Sequence, residues 1–192
     1  MKVAVFGAGG TIGRQIVGEA RERGHDVTAV RRADGDVRDP LAVLGDQDAV
    51  ISAVGSKSAP RIYLDAAKAL VAALRAHHAR LIVVGGAGSL QAGDGRRLVD
   101  TPGFPPEFRE EALGQAAALD FYRTVSDVRW TYVSPAAELT PGLRTGRFRT
   151  GGDQLLTDDD GRSRITIADF AAAIVDELER PQAIGRRMTV AY

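Results

Sequence analysis

The chain contains no cysteine. Disulfide bonds, thiolate catalysis and cysteine-ligated zinc are therefore excluded. It has only three histidines, so no metal site is expected. It also lacks an excess of either charge, since 25 Lys and Arg balance 25 Asp and Glu. A neutral chain has no bulk electrostatic hold on nucleic acid or an anionic membrane, and neither is expected as a partner. No apolar run reaches the roughly 20 residues that a membrane-spanning helix needs. The first apolar run is short, ends in glycine and carries no A-x-A-like cleavage site. It does not read as a secretory signal, and a cytoplasmic protein is the expectation. Lysine is scarce: only Lys57 and Lys68 follow Lys2.

What is abundant is glycine, 22 of 192 residues, and its placement is informative. The opening stretch Lys2-Val-Ala-Val-Phe6 reads as a buried strand. Gly7-Ala8-Gly9-Gly10-Thr11-Ile12-Gly13 follows, and then a helical pattern to Arg23. A strand, a glycine turn and a helix in this order form the first unit of a dinucleotide-binding fold. Gly7 permits a sharp turn, Gly10 lets a pyrophosphate approach the backbone, and Gly13 lets helix and strand pack closely. The helix N-terminus, with the N–H groups of Thr11 and Ile12, then faces the phosphates. Taken alone the glycines also fit an ordinary β–α turn. No Gly-Lys-Ser/Thr closes the loop, which excludes a Walker-type phosphate site.

The first helix is expected over Ile12 to Arg23, with Ile12, Ile16, Val17 and Ala20 inward and Gly24 ending it. A second strand, Val27 to Val30, leads to Arg31 and Arg32. At this point an NAD site usually carries Asp or Glu for the ribose 2′-hydroxyl. Two guanidinium groups suit a 2′-phosphate instead, so NADP(H) is expected over NAD(H); the alternative is a solvated basic pair. Asp34 to Asp39 reads as a short strand end and a turn, with Asp36 and Val37 placed to flank the adenine or simply to shape the turn. Asp39 and Pro40 are expected to open a helix.

Counting that short strand as the third, Gln47 to Gly55 is the fourth. Its small residues Ala53, Val54 and Gly55 leave room for a ligand at the strand end. Arg61 to His78 reads as a helix with Leu64, Ala67, Leu70, Val71 and Leu74 inward, and with His77 and His78 at its C-terminus. Leu81 to Val84 is the fifth strand. It runs into a second glycine cluster, Gly85-Gly86-Ala87-Gly88-Ser89-Leu90, where close backbone approach near a nicotinamide is expected. Ser89 is the candidate hydroxyl for orienting a substrate, or else a loop hydroxyl bonded to backbone. Gln91 to Pro106 reads as a long loop over the crevice. Glu107 to Val125 reads as a helix with Leu113, Ala116, Ala117, Leu119 and Phe121 inward. Val128 to Ala136, containing Ser134 and Pro135, is the sixth strand. Residues 138–192 are expected to complete the substrate side of one domain spanning 1–192.

These motifs resemble the atypical short-chain dehydrogenase/reductases, in the NAD(P)-binding, NmrA-like group with NADH-flavin-reductase-like and biliverdin-reductase-B-like proteins. The match is carried by Gly7 to Gly13, Gly35-Asp36-Val37-Arg38-Asp39, Val84 to Leu90 and Trp130 to Ala136. Arg144-Thr145-Gly146, Gly161 to Thr166 and Asp169-Phe170 extend it, so it covers essentially the whole chain. The resemblance implies a Rossmann-type α/β fold with a doubly wound parallel sheet. It implies pyrophosphate at Gly7 to Gly13, 2′-phosphate at Arg31 or Arg32, and nicotinamide near Ala53–Gly55, Gly85–Ser89 and Ser134–Ala136.

One departure bears on chemistry. Classical members carry a Tyr-x-x-x-Lys proton-donating pair on the helix before the sixth strand. Here the tyrosine of that helix is Tyr122, followed by Arg123, Thr124, Val125 and Ser126, and no lysine lies in it. Tyr122 is therefore a weak catalytic candidate. The leading expectation is an NADPH-dependent reductase passing hydride to a flat conjugated small molecule of flavin, quinone or enone type. The alternatives are a non-catalytic NADP(H) sensor and an NAD(P)-dependent epimerase or isomerase. Monomer and homodimer both remain open.

Overall fold

The computed structural model describes residues 1–31, 33–56 and 58–192. Strands and helices alternate: β1 (Lys2–Phe6), α1 (Thr11–Glu22), β2 (Asp26–Val30), α2 (Leu41–Leu44), β3 (Ala49–Ser52), α3 (Ile62–His77), β4 (Arg80–Val84), α4 (Arg109–Arg123) and β5 (Trp130–Pro135). The rest adds β6 (Glu138–Thr140), β7 (Arg149–Gly151), β8 (Arg164–Thr166), α5 (Ile167–Glu179) and β9 (Arg186–Ala191). Among the described residues, seven strands form one sheet in the order β2-β1-β3-β4-β5-β9-β7. All neighbours are parallel except β7 against β9. This is a Rossmann-type doubly wound sheet. The order reverses between β1 and β3, where such folds open a crevice at the carboxyl ends of the strands.

The central strands are apolar on both faces because helices cover both. Val3 and Val5 of β1 face the layer that contains Ile16 of α1 and Phe170 of α5. Ala4 and Phe6, one residue out of phase, face the layer with Leu70 of α3 and Leu119 of α4. The α1 stripe of Ile16, Val17 and Ala20 is buried as its spacing requires. Gly24 takes a left-handed φ of +81°, and so ends α1 without a Cβ penalty.

Three expectations fail here. Residues 34–39 form turns rather than a strand. The strands beginning at Ala49, Arg80 and Trp130 are therefore third, fourth and fifth, and β2 is left at the sheet edge. Pro40 sits at the N-cap of the short α2, one place earlier than expected, and Asp39 does not cap it. The inward face of α4 is rotated: Leu113 is 39 % exposed and Ala117 is exposed, while Ala112 and Tyr122 are buried. Gly88 accounts for part of this, since its missing Cβ makes room for the methyl of Ala112.

The 91–106 segment is anchored. Leu90 and Val99 are fully buried, and the backbone of Gln91 pairs with Asp153 and Leu155. Several buried polar groups find partners far along the chain. Arg80 of β4 pairs with Glu177 of α5, which also accepts from Thr131 and the Ala183 N–H. Asp169 accepts from Thr145 N–H at 2.8 Å, Gly146 N–H at 2.7 Å and Tyr192 Oη at 2.6 Å. Burial alone would raise the Asp169 carboxyl, but these bonds outweigh it and hold it below the usual range.

Candidate functional site

The reversal point between β1 and β3 opens into a cleft of about 640 Å³, well within the range of small-molecule sites. Its floor and one wall are glycine by necessity. Gly7 has φ +77°, and a Cβ there would strike the Ala53 carbonyl. A Cβ on Gly13 would strike the Gly7 carbonyl oxygen and lie 2.8 Å from its carbon. The turn, the start of α1 and the end of β3 thus touch backbone to backbone. Gly9 and Gly10 line the cleft, and a Cβ on Gly10 would meet only the Gly7 oxygen within 4 Å. Thr11, Ile12 and Gly13 open α1 with no side chain capping them. Their N–H groups and the positive end of the helix suit an anion.

The outer end of the cleft is polar. Arg31 lines it, with its stem lying 3.8 Å from where a Gly9 Cβ would stand. Its backbone N–H bonds to Asp34 at 3.0 Å. Arg32, expected beside it, lies outside the described residues. Asp36 and Val37 line the same end, and Val37 is 6 % exposed. Asp36 accepts from the Arg38 guanidinium at 2.9 Å and from the Arg38 N–H at 2.9 Å, which draws its carboxyl down to about 2. The inner end is lined by Ala53, Val54, Gly55 and Ser56.

Other candidate residues fall outside this cleft. Gly86, Ser134 and Pro135 sit at the carboxyl ends of β4 and β5 and do not line it. The second glycine cluster is filled by the chain's own side chains. A Cβ on Gly85 would enter the Tyr132 ring, and one on Gly86 would strike the Gln115 amide. Close backbone approach is real there, but α4 and β5 make it. The Ser134 hydroxyl is fully buried without a hydrogen-bond partner.

Ser89 is not free either. Its Oγ accepts from Arg187 at 2.9 Å, and Arg187 is buried and bonded to Asp153 at 2.8 Å. Burial pulls the Arg187 guanidinium down despite that partner. Tyr122 is 1 % exposed, with its ring centroid 5.7 Å from that of Trp130 and 6.2 Å from that of Tyr132. It therefore lies in the core rather than in the crevice, and burial there pushes its phenol upward. Arg187, Asp153 and Tyr63 were not legible as site neighbours. Arg187 and Ser89 are 98 residues apart, a separation no local spacing reports.

Comparison with known proteins bears on this geometry. A family model described as NAD(P)H-binding matches residues 33–178. The uncharacterized protein YwnB of Bacillus subtilis is 38% identical over 99% of this chain and 98% of its own length. A crystal structure from Streptococcus pneumoniae, provisionally named an NADH-flavin reductase, is 36% identical with a TM-score of 0.92, covering 100% of this chain and 99% of that one. Another from Bacteroides thetaiotaomicron, provisionally named an epimerase, is 33% identical with a TM-score of 0.89, covering 100% and 96%.

Proposed function

The chain belongs to the NAD(P)H-binding family, and on that premise we propose that it is an NADPH-dependent oxidoreductase whose acceptor is a flat, conjugated small molecule of flavin, quinone or enone type. One observation carries the proposal. A glycine-walled cleft runs from the uncapped start of α1 to an arginine at the end of β2. The amides of Thr11, Ile12 and Gly13 hold the diphosphate. Arg31 takes the 2′-phosphate, with Arg32 as its neighbour in sequence. Asp36 and Val37 border the adenine, and Ala53, Val54 and Gly55 border the inner end.

A nicotinamide dinucleotide bound there supplies hydride. The chain's own part is to bind, orient and exclude water. Ser89, steadied by Arg187, presents its hydroxyl at the carboxyl end of the sheet, where it orients the acceptor. Gly86, Ser134 and Pro135 support that region from beneath. Residues 138–192 complete the acceptor side, since the 91–106 segment is pinned to Asp153 and Leu155. With Tyr122 in the core, no tyrosine acid on α4 serves the site, and solvent supplies the proton. That supports a conjugated acceptor over a simple ketone, which needs a positioned acid. The epimerase name of one structural relative motivates a second reading, an NAD(P)-dependent epimerase.

The test mixes the protein with NADPH and a panel of flavins, quinones and enones and follows loss of absorbance from the reduced cofactor. Turnover on at least one acceptor is expected. Tight binding with no turnover on any of them would replace the reductase reading with a sensor or an epimerase.

A further inference from the structure

The inner end of the cleft is held by a polar contact that the mechanism above does not use. Tyr63, in the first turn of α3, is 8 % exposed. Its hydroxyl donates to Glu111 Oε1 on α4 at 2.6 Å and accepts from the Ser56 N–H at 3.3 Å. Gly55 lies directly over that oxygen: a Cβ on it would stand 3.1 Å away. One helical turn along α4, a Cβ on Gly114 would lie 2.5 Å from the Pro60 carbonyl. The loop between β3 and α3 is thus gripped by α4 at two points. That loop forms the inner wall of the cleft, through Gly55, Ser56, Ser58 and Ala59. The outer wall, through Arg31, Asp36, Val37 and Arg38, belongs to the end of β2 and the turn after it.

We propose that the Tyr63–Glu111 pair is a positioning latch. It ties the β3–α3 loop to α4 and so fixes Gly55 and Ser56 against the nicotinamide half of the bound cofactor, leaving the adenosine half to other residues. The inference rests on the dinucleotide site proposed above. Topology gives the division its sense. From β2 through β1 and β3 to β4, the adenosine end lies toward β2 and the nicotinamide end toward β4, where α4 follows. Tyr63 acts through Ser56 and Gly55 and supplies no proton.

Calorimetry of two ligands separates this role from a general structural one. NADPH spans the whole cleft, whereas adenosine 2′,5′-bisphosphate lacks the nicotinamide half. Tyr63→Phe is expected to weaken NADPH about tenfold, the size of a lost charge-assisted hydrogen bond, and to leave the bisphosphate unchanged. Glu111→Ala, on the partly exposed first turn of α4, is expected to do the same without threatening the fold. Glu111→Gln keeps an acceptor for the Tyr63 hydroxyl and is expected to restore most of the affinity. Unchanged NADPH affinity in both Tyr63→Phe and Glu111→Ala overturns the latch. Equal weakening of both ligands overturns it too, because the pair would then merely support the scaffold. A wild-type chain that binds neither ligand overturns the dinucleotide site itself, a result distinct from either of these.

Discussion

Replacing Gly13 by alanine tests whether the opening turn is built on backbone contact. An added Cβ would overlap the Gly7 carbonyl oxygen and stand 2.8 Å from its carbon and 3.0 Å from the Ala8 Cα. These are backbone atoms, so no rotamer change relieves the clash, and the start of α1 must lift from the turn. Overpacking of this kind costs up to about 3 kcal/mol. Alanine returns about 1 kcal/mol of helix propensity. The net loss of about 2 kcal/mol lowers Tm by roughly 4–8 °C in a chain of this size. Gly18, in the same helix, has nothing within 4 Å of the corresponding position. Gly18→Ala should therefore raise Tm by roughly 2–4 °C through propensity alone. Scanning calorimetry of both variants gives opposite signs if the contact is as described. Because Gly13→Ala also moves the α1 amides, it should weaken NADPH by about tenfold or more, whereas Gly18→Ala should not. A Gly13→Ala protein as stable as Gly18→Ala would refute the packing.

Other outcomes follow from the same geometry. Arg31→Ala should weaken NADPH by roughly 5–30-fold, a solvent-discounted charge-assisted bond to phosphate, and leave NADH affinity unchanged in a fluorescence titration. Tyr122→Phe should leave turnover nearly intact, because the loss of a general acid would cost about 100-fold or more. A large fall in its kcat would return Tyr122 to the site. Asp169→Asn should cost about 2–3 kcal/mol at neutral pH by leaving buried donors poorly matched. The folded carboxyl of Asp169 is depressed, so its stabilisation is present above the ordinary carboxylate value of about 4 and is lost as pH falls through the folded value. Urea melts should accordingly show the wild-type advantage at pH 7 shrinking below about pH 4.

The fold was legible where the chain writes it locally. The β1 run, the Gly7–Gly13 turn and the α1 stripe each obey a period or a steric rule that a short window contains. The α4 face was misread because the helix is alanine-rich: with Ala112, Ala116, Ala117 and Ala118 nearly equal in hydrophobicity, periodicity has little contrast to report. Residues 34–39 were read as a short strand end and a turn; only the turn is there, and Val37 is buried from it. The glycines at 85–88 correctly announced close approach but not what approaches. Tyr132, Gln115 and Ala112 fill those spaces, and each comes from far along the chain. For the same reason the Ser89–Arg187–Asp153 cluster and the Tyr63–Glu111 pair were out of reach: their members meet only once the sheet is assembled.

The most direct measurement is a calorimetric titration of the wild-type chain with NADPH. Saturable binding at a single site per chain is expected, from amides at the head of α1 gripping the diphosphate. A titration with neither heat nor saturation, repeated with NADH to the same result, would contradict that account at its root.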